Sequence, residues 1–265
     1  RDMSFQQCLV TVCTLLLTSC ALSTASSTPS SLAYTSVTAL NKYGESEQLS
    51  NAREAAYRYG TLVVAARSKE NTVVVVSVHR RKSPGILSTP QMVQSISPSV
   101  FIASSGIKAD AMWLVQKLRQ YQMSQWDLYD RYAPASKLKR AISQLLLLFM
   151  GYDRSRELTD MQVVDRDESW GRPLGIMSLL LTCTSITLID PSGITQERSA
   201  FAIGKESEAV NDELEKVYDA NLTTEEVETM IQELLSKIGV SSESILVETV
   251  SSNGVQREKR NMDAL

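Results

Sequence analysis

Residues 73–76 are four consecutive valines inside the β-rich run 72–78, and no polar residue interrupts them. A strand with one face in water alternates apolar and polar side chains, so this run suits a strand covered on both faces. A second β-rich run, 61–66, precedes it, and the polar turn 67–71 between them makes the pair a hairpin. The fold therefore has to supply two layers of cover, one above this hairpin and one below.

The remaining pattern supplies them in blocks. Residues 50–59 have helical composition, with Ala52, Ala55 and Ala56 among charged residues and Gly60 placed as a C-cap. A strand is expected at 99–104. Two helices follow, 109–122 with Leu114, Leu118 and Tyr121 on one face, and 134–150 with Leu138, Ile142, Leu145, Leu146 and Phe149 on one face. Strands return at 174–182, 185–189 and 199–203, with Asp190-Pro191-Ser192-Gly193 as the reversal between the last two. Helices are then expected at 206–218, burying Val210, Leu214 and Val217, and after a capping box of Thr223 and Glu226, burying Val227, Ile231, Leu234 and Ile238. A final strand is expected at 245–250. Strands and helices in blocks predict an α+β fold, a four-layer αββα sandwich, and disfavour a Rossmann or barrel layout. No glycine-rich phosphate loop is present.

With 265 residues, 43% apolar and 22% charged, the chain is long enough for one large domain. A net charge of -3 argues against nucleic acid as a partner. Three of the four cysteines, Cys8, Cys13 and Cys20, fall in the first twenty residues and Cys183 stands alone, so neither a disulfide framework nor a zinc site can be built from them. His79 is the single histidine, which removes His-dependent triads and His-rich metal sites and reads as a packed or surface residue. The charged stretch containing Asp153, Arg154, Asp165 and Glu168 has alternating signs and reads as a solvated loop rather than a metal site. No cofactor is expected.

Residues 1–33 read as a leader, signal-like or artefactual, ending in a Ser/Thr-rich linker. The apolar part is too short and too rich in Ser and Thr for a membrane span, and no stable membrane association is expected. The domain is expected over 34–250, and 251–265, with Glu258, Lys259 and Arg260, as a charged tail without regular structure.

Several motifs in order resemble the proteasome alpha subunits over residues 34–250. Ser104 to Ala111, SSGIKADA, is similar to that family's turn from strand into helix; Gly171 to Leu181, GRPLGIMSLLL, to its following strand; Asp190 to Gly193, DPSG, to its turn; and Ala202 to Tyr218, AIGKESEAVNDELEKVY, to the pattern before its long helix. Val37, Thr38, Gly44, Gln48, Ala52, Glu54 and Ala55 resemble the alpha-type N-terminal signature, which beta subunits lack. The resemblance implies a ring subunit that meets other alpha-type subunits laterally, beta-type subunits axially and regulatory particles at the ring face, in cytoplasm and nucleus. The leader keeps an organellar or secretory location open. It implies a structural and gating role in ATP- and ubiquitin-dependent protein degradation.

Beta subunits of similar fold can be threonine peptidases, so Thr61 after Gly60 has to be weighed as a nucleophile. Such a hydroxyl needs a base and a carboxylate beside it. Here the expected carboxylate position is His79, the expected lysine position is Gln91 or Met92, and the expected serine is Lys205. No catalytic residue is assigned on that basis. In alpha rings the same lysine receives the C-terminal carboxylate of a regulator, so this chain's pocket is expected to bind such tails poorly. The alternatives are a beta-type threonine peptidase subunit and a divergent paralogue outside the ring.

Overall fold

The computed structural model describes residues 40, 44, 46–79, 91–150, 171–240 and 244–261. The chain divides into two units, Arg1–Glu47 and Gln48–Leu265. In the first, Leu40 and Ser46 form an isolated antiparallel bridge. The second carries the sandwich.

The valine hairpin forms as expected. Strands β1 (Val63–Arg67) and β2 (Val73–His79) pair antiparallel, Val63 opposite Ser77 and Arg67 opposite Val73. Every residue of β2 is buried. Its side chains alternate between two apolar layers: Val74, Val76 and Val78 point to one cluster, Val73 and Val75 to another. Two-sided burial explains why alternation was absent from the sequence.

After the hairpin come β3 (Val93–Ser97), β4 (Val100–Gly106), α2 (Lys108–Tyr129) and α3 (Ala135–Phe149), with α1 (Glu47–Tyr59) preceding it. Next are β5 (Ile176–Leu181), β6 (Ile186–Ile189), β7 (Thr195–Arg198) and β8 (Ala200–Ile203), then α4 (Ser207–Val217), α5 (Thr224–Ile238), β9 (Ser244–Ser251) and β10 (Gly254–Asn261). The strands make two antiparallel five-stranded sheets, ordered β10-β9-β2-β1-β8 and β3-β4-β5-β6-β7. Three apolar layers hold the sandwich together. Leu114, Leu118, Leu138, Ile142 and Leu145 of α2 and α3 pack on Ile102, Ile176 and Leu180 of the second sheet. Val210, Leu214, Val227, Ile231 and Leu235 of α4 and α5 pack on Val74 and Val76 of the first. Phe101, Met177, Leu179 and Leu181 meet Val63, Val73 and Val75 between the sheets, with Ala56 of α1 in the same layer. Each large side chain so buried contributes roughly 1.5–3 kcal/mol. The α+β sandwich is thus an αββα arrangement.

Some expectations need correction. Three strands went unread, all at sheet edges and largely polar. In β3, VQSIS, only Val93 and the Ile96–Ser97 end are buried, and a register shift falls between Ser95 and Ser97. The DPSG reversal leads into β7, TQER, an edge strand that is mostly exposed, so the strand expected at 199–203 is β8 and lies in the other sheet. The charged run through Glu258, Lys259 and Arg260, expected as a tail, pairs with β9, Glu258 opposite Val247 and Arg260 opposite Ile245. An outer strand needs little apolar content, because it owes its place to ladder hydrogen bonds on one side. Val217 is 51% exposed, not buried: α4 stops there, and Tyr218 packs instead, its hydroxyl donating to the Arg67 carbonyl at 2.9 Å. The Thr223–Glu226 capping box is present. The stretch from Asp153 to Glu168 and the leader lie outside the described residues.

Candidate functional site

The sequence motifs converge where α1 runs into β1. Gly60 ends the helix, its amide donating to the Ala56 carbonyl at 3.0 Å and its own carbonyl accepting from the Lys205 amide at 3.2 Å. The Thr61 carbonyl then accepts from Ser105 Oγ at 2.7 Å. Contact here is backbone on backbone. A Cβ at Gly204 would fall 2.2 Å from the Thr61 carbonyl oxygen, and one at Gly106 would fall 2.2 Å from that of Gly175. Gly204 and Gly106 also hold φ of 98° and 126°, where a side chain is strained.

Two polar anchors flank this junction. Asp110, buried in the first turn of α2, accepts from Arg172 Nη1 and Nη2 at 2.8 Å each and from the Gly175 amide at 2.9 Å. The hydrogen bond to Asp110 raises the Arg172 guanidinium above its ordinary pKa. On the other side Arg53 of α1 donates from Nε and Nη2 to the Asp190 carboxylate at 2.9 and 2.8 Å. Burial pushes the Asp190 carboxyl up, but the hydrogen bonds from Arg53 and Ser192 outweigh it and leave its pKa below the ordinary value. Each anchor therefore joins two of the motifs, ADA to GRPLG and the α1 signature to DPSG.

Thr61 borders two cavities. One encloses about 110 Å³ and is lined by Thr61, Gln91, Met92, Gln94, Ser104 and Lys108, among others. The other encloses about 420 Å³, and its lining includes Thr61, His79 and Lys205. The positions weighed around Thr61 are thus brought together. His79 is buried, with Nε2 3.1 Å from Ser77 Oγ. Lys205 Nζ lies 3.9 Å from Glu206 Oε1.

A model of the proteasome subunit family matches residues 57–244. The chain belongs to that family. Among its relatives, the proteasome subunit alpha of Halobacterium salinarum is 27% identical over 194 residues, covering 72% of this chain and 70% of that protein. The proteasome subunit alpha of Methanococcus maripaludis is 27% identical over 239 residues, 86% and 84% of the two chains. Proteasome subunit alpha type-5 of Drosophila melanogaster is 23% identical over 175 residues, 64% and 68%. With relatives of that kind and α1 in front of the hairpin, the chain is an alpha-type proteasome subunit.

In this proteasome subunit the side chains at the positions weighed as partners of Thr61 are a neutral amide at Gln91, a thioether at Met92, an imidazole at His79 and an ion-paired ammonium at Lys205. In the unprocessed chain the Thr61 nitrogen is in the peptide bond to Gly60, and a free amine that could take a proton from the hydroxyl would arise only on cleavage there. Among the described residues, no group of three or more His, Cys, Asp and Glu could hold a metal ion, and no helix is long and apolar enough to cross a membrane.

Sequence reasoning missed a further pair at the other edge of the sandwich. Glu248 of β9, fully buried, accepts from Arg257 Nε at 2.8 Å and from the Val93 amide at 3.1 Å, and Arg257 Nη2 reaches the Val93 carbonyl at 3.3 Å. This clasp ties β9 and β10 of one sheet to β3 of the other. Burial raises the Glu248 pKa, only partly offset by Arg257 and the Val93 amide. Its signal was a lone acid at an inward position of ILVETV.

Proposed function

We propose that this alpha-type subunit is a non-catalytic member of the proteasome core particle's alpha ring, with a structural and gating role in ATP- and ubiquitin-dependent protein degradation. The observation that carries the reading is Thr61 itself. It is preceded by an intact helix, its carbonyl is engaged by Ser105 and its nitrogen is in a peptide bond. Freeing it would remove α1, and with it Ala56 from the inter-sheet layer and Arg53 from Asp190.

Assembly is supported by what the subunit leaves uncovered. Met112, Met123 and Trp126 lie along one face of α2 with 56%, 64% and 44% exposure. Apolar side chains gathered on one face mark an interaction surface. The proposed partners are alpha-type neighbours laterally, beta-type subunits axially and regulatory particles, in cytoplasm and nucleus.

Tagging the chain in its own cells and identifying what co-purifies tests the ring assignment. Replacing Thr61 with Ala tests the rest: assembly and every peptide-hydrolysing activity of the particle are expected to be unchanged. Loss of one cleavage specificity with assembly intact would make the chain a threonine peptidase.

A further inference from the structure

Of the seven asparagines only Asn253 precedes a glycine. An asparagine loses its side-chain nitrogen when the backbone nitrogen of the next residue attacks its side-chain carbonyl, and a side chain on that next residue stands in the way. Gly254 brings none, and even a Cβ there would meet nothing within 4 Å, so the reacting pair lies in open space. The other described asparagines are placed differently. Asn51 lies inside α1, where the helix ladder holds the backbone nitrogens, and Asn211 is fixed on Ala202, donating to its carbonyl at 3.0 Å and accepting from its amide at 2.7 Å. Asn71 and Asn221 precede Thr72 and Leu222. Asn253 is exposed at the tip of the two-residue turn between β9, which ends at Ser251, and β10, which begins at Gly254. We propose that Asn253 deamidates without an enzyme, and that the isoaspartate so formed releases β10 from its clasp.

The Gly254 nitrogen forms a bond to Asn253 Cγ, the Cγ–Nδ2 bond breaks, and the proton of the Gly254 amide leaves with the nitrogen as ammonia. Water then opens the cyclic imide. Attack at Cγ gives aspartate, and attack at the main-chain carbonyl gives isoaspartate, whose backbone runs through Cβ and Cγ; nothing is oxidised or reduced. The reacting nitrogen stands at the end of the ladder, Gly254 opposite Ser251, where local opening takes least free energy. Isoaspartate puts an extra backbone atom between β9 and β10. Loop length and turn type set the register of a hairpin, and here that register places Arg257 opposite Glu248. Arg257 Nε donates to Glu248 at 2.8 Å and Nη2 to the Val93 carbonyl at 3.3 Å, so a lengthened turn draws both contacts out of line.

The test ages the purified full-length chain at mildly alkaline pH, which helps the attacking nitrogen lose its proton, and maps it at intervals by peptide mass spectrometry, with isoaspartate detected by enzymatic methylation. Expected is conversion of Asn253 first and to the greatest extent, with loss of that signal in Asn253→Gln. Conversion at Asn253 no faster than at Asn71 or Asn221 overturns the site. The consequence is read by hydrogen exchange over residues 254–257. Exchange is expected to be faster in the aged chain than in the fresh one, and to stay slow in Asn253→Asp, which carries the new charge without the extra backbone atom. Aged chain that exchanges as slowly as fresh overturns the release of β10, and fast exchange in Asn253→Asp assigns the effect to charge and overturns the role of isoaspartate.

Discussion

The two sheets are linked by different means at the α1–β1 junction and at the β3–β9–β10 edge. At the α1–β1 junction Ser105 Oγ, from the end of β4, donates to the Thr61 carbonyl, and a Cβ at Gly60 would fall 2.9 Å from the Gly106 nitrogen, while Gly204 and Gly106 permit close backbone approaches within each sheet. At the β3–β9–β10 edge the contact is a buried carboxylate, Glu248, shared between Arg257 and the Val93 amide. A backbone junction has no tolerance for added atoms and no dependence on pH. A side-chain clasp tolerates changes in shape but depends on proton occupancy.

Gly204→Ala should be the most damaging change, because the new methyl must displace the Thr61 carbonyl and adopt a strained φ. A loss of about 3–5 kcal/mol is expected in urea unfolding of the purified chain. A loss below about 1 kcal/mol would mean that the junction yields easily.

Arg257→Met should cost about 2–3 kcal/mol at neutral pH, less than a wholly buried pair because Arg257 is partly exposed. The sign of its pH dependence follows from Glu248, whose pKa is raised above 4.5 by burial. Such a group stabilises the fold fully below its unfolded value, and the contribution is lost as pH rises through the folded value. The wild type should therefore lose stability relative to Glu248→Gln as pH climbs above that range, and Arg257→Met should lose it more steeply. Flat difference curves would remove the carboxylate from the account.

Asp110→Asn keeps an acceptor for Gly175 but removes the charge facing Arg172, and should cost about 1–2 kcal/mol by thermal unfolding. The smallest effect belongs to Arg53→Gln, about 0.5–1 kcal/mol, since Arg53 is 45% exposed. The Asp190 pKa is lowered from 3.8, so this contribution is present above that value and is lost as pH falls through the folded one. A difference between wild type and Arg53→Gln that persists unchanged in acid would argue against an ion pair.

Much of the architecture was readable because burial leaves a mark on composition. The valines of β2, the periodic leucines of α3 and the Thr223–Glu226 cap each state locally what they do. Strands β3, β7 and β10 do not, because each is the outer arm of a hairpin with the strand next to it in the chain, and ladder hydrogen bonds on one side hold it with little apolar content. The same holds for the site. The positions gathering around Thr61 came from motif spacing, but Lys108 was read only as part of a turn, since nothing local says which cavity a helix's first side chain borders. Asp110 and Arg172 were quoted in separate motifs, and only the tertiary fold makes them one anchor.

The sheet order also sets a timetable for biosynthesis. In the completed fold, β1 is flanked by β8 and β2 by β9, yet roughly 120 residues separate His79 from Ala200. At ribosomal speeds of about 5–20 residues per second, the valine hairpin emerges on the order of ten seconds before either neighbour exists. Throughout that interval it presents two open edges and two uncovered apolar faces, the hallmarks of an aggregation-prone nascent segment. Such a chain has reason to be met early by a chaperone, and slowing translation between β2 and β8 should lower its soluble yield more than slowing it after β9.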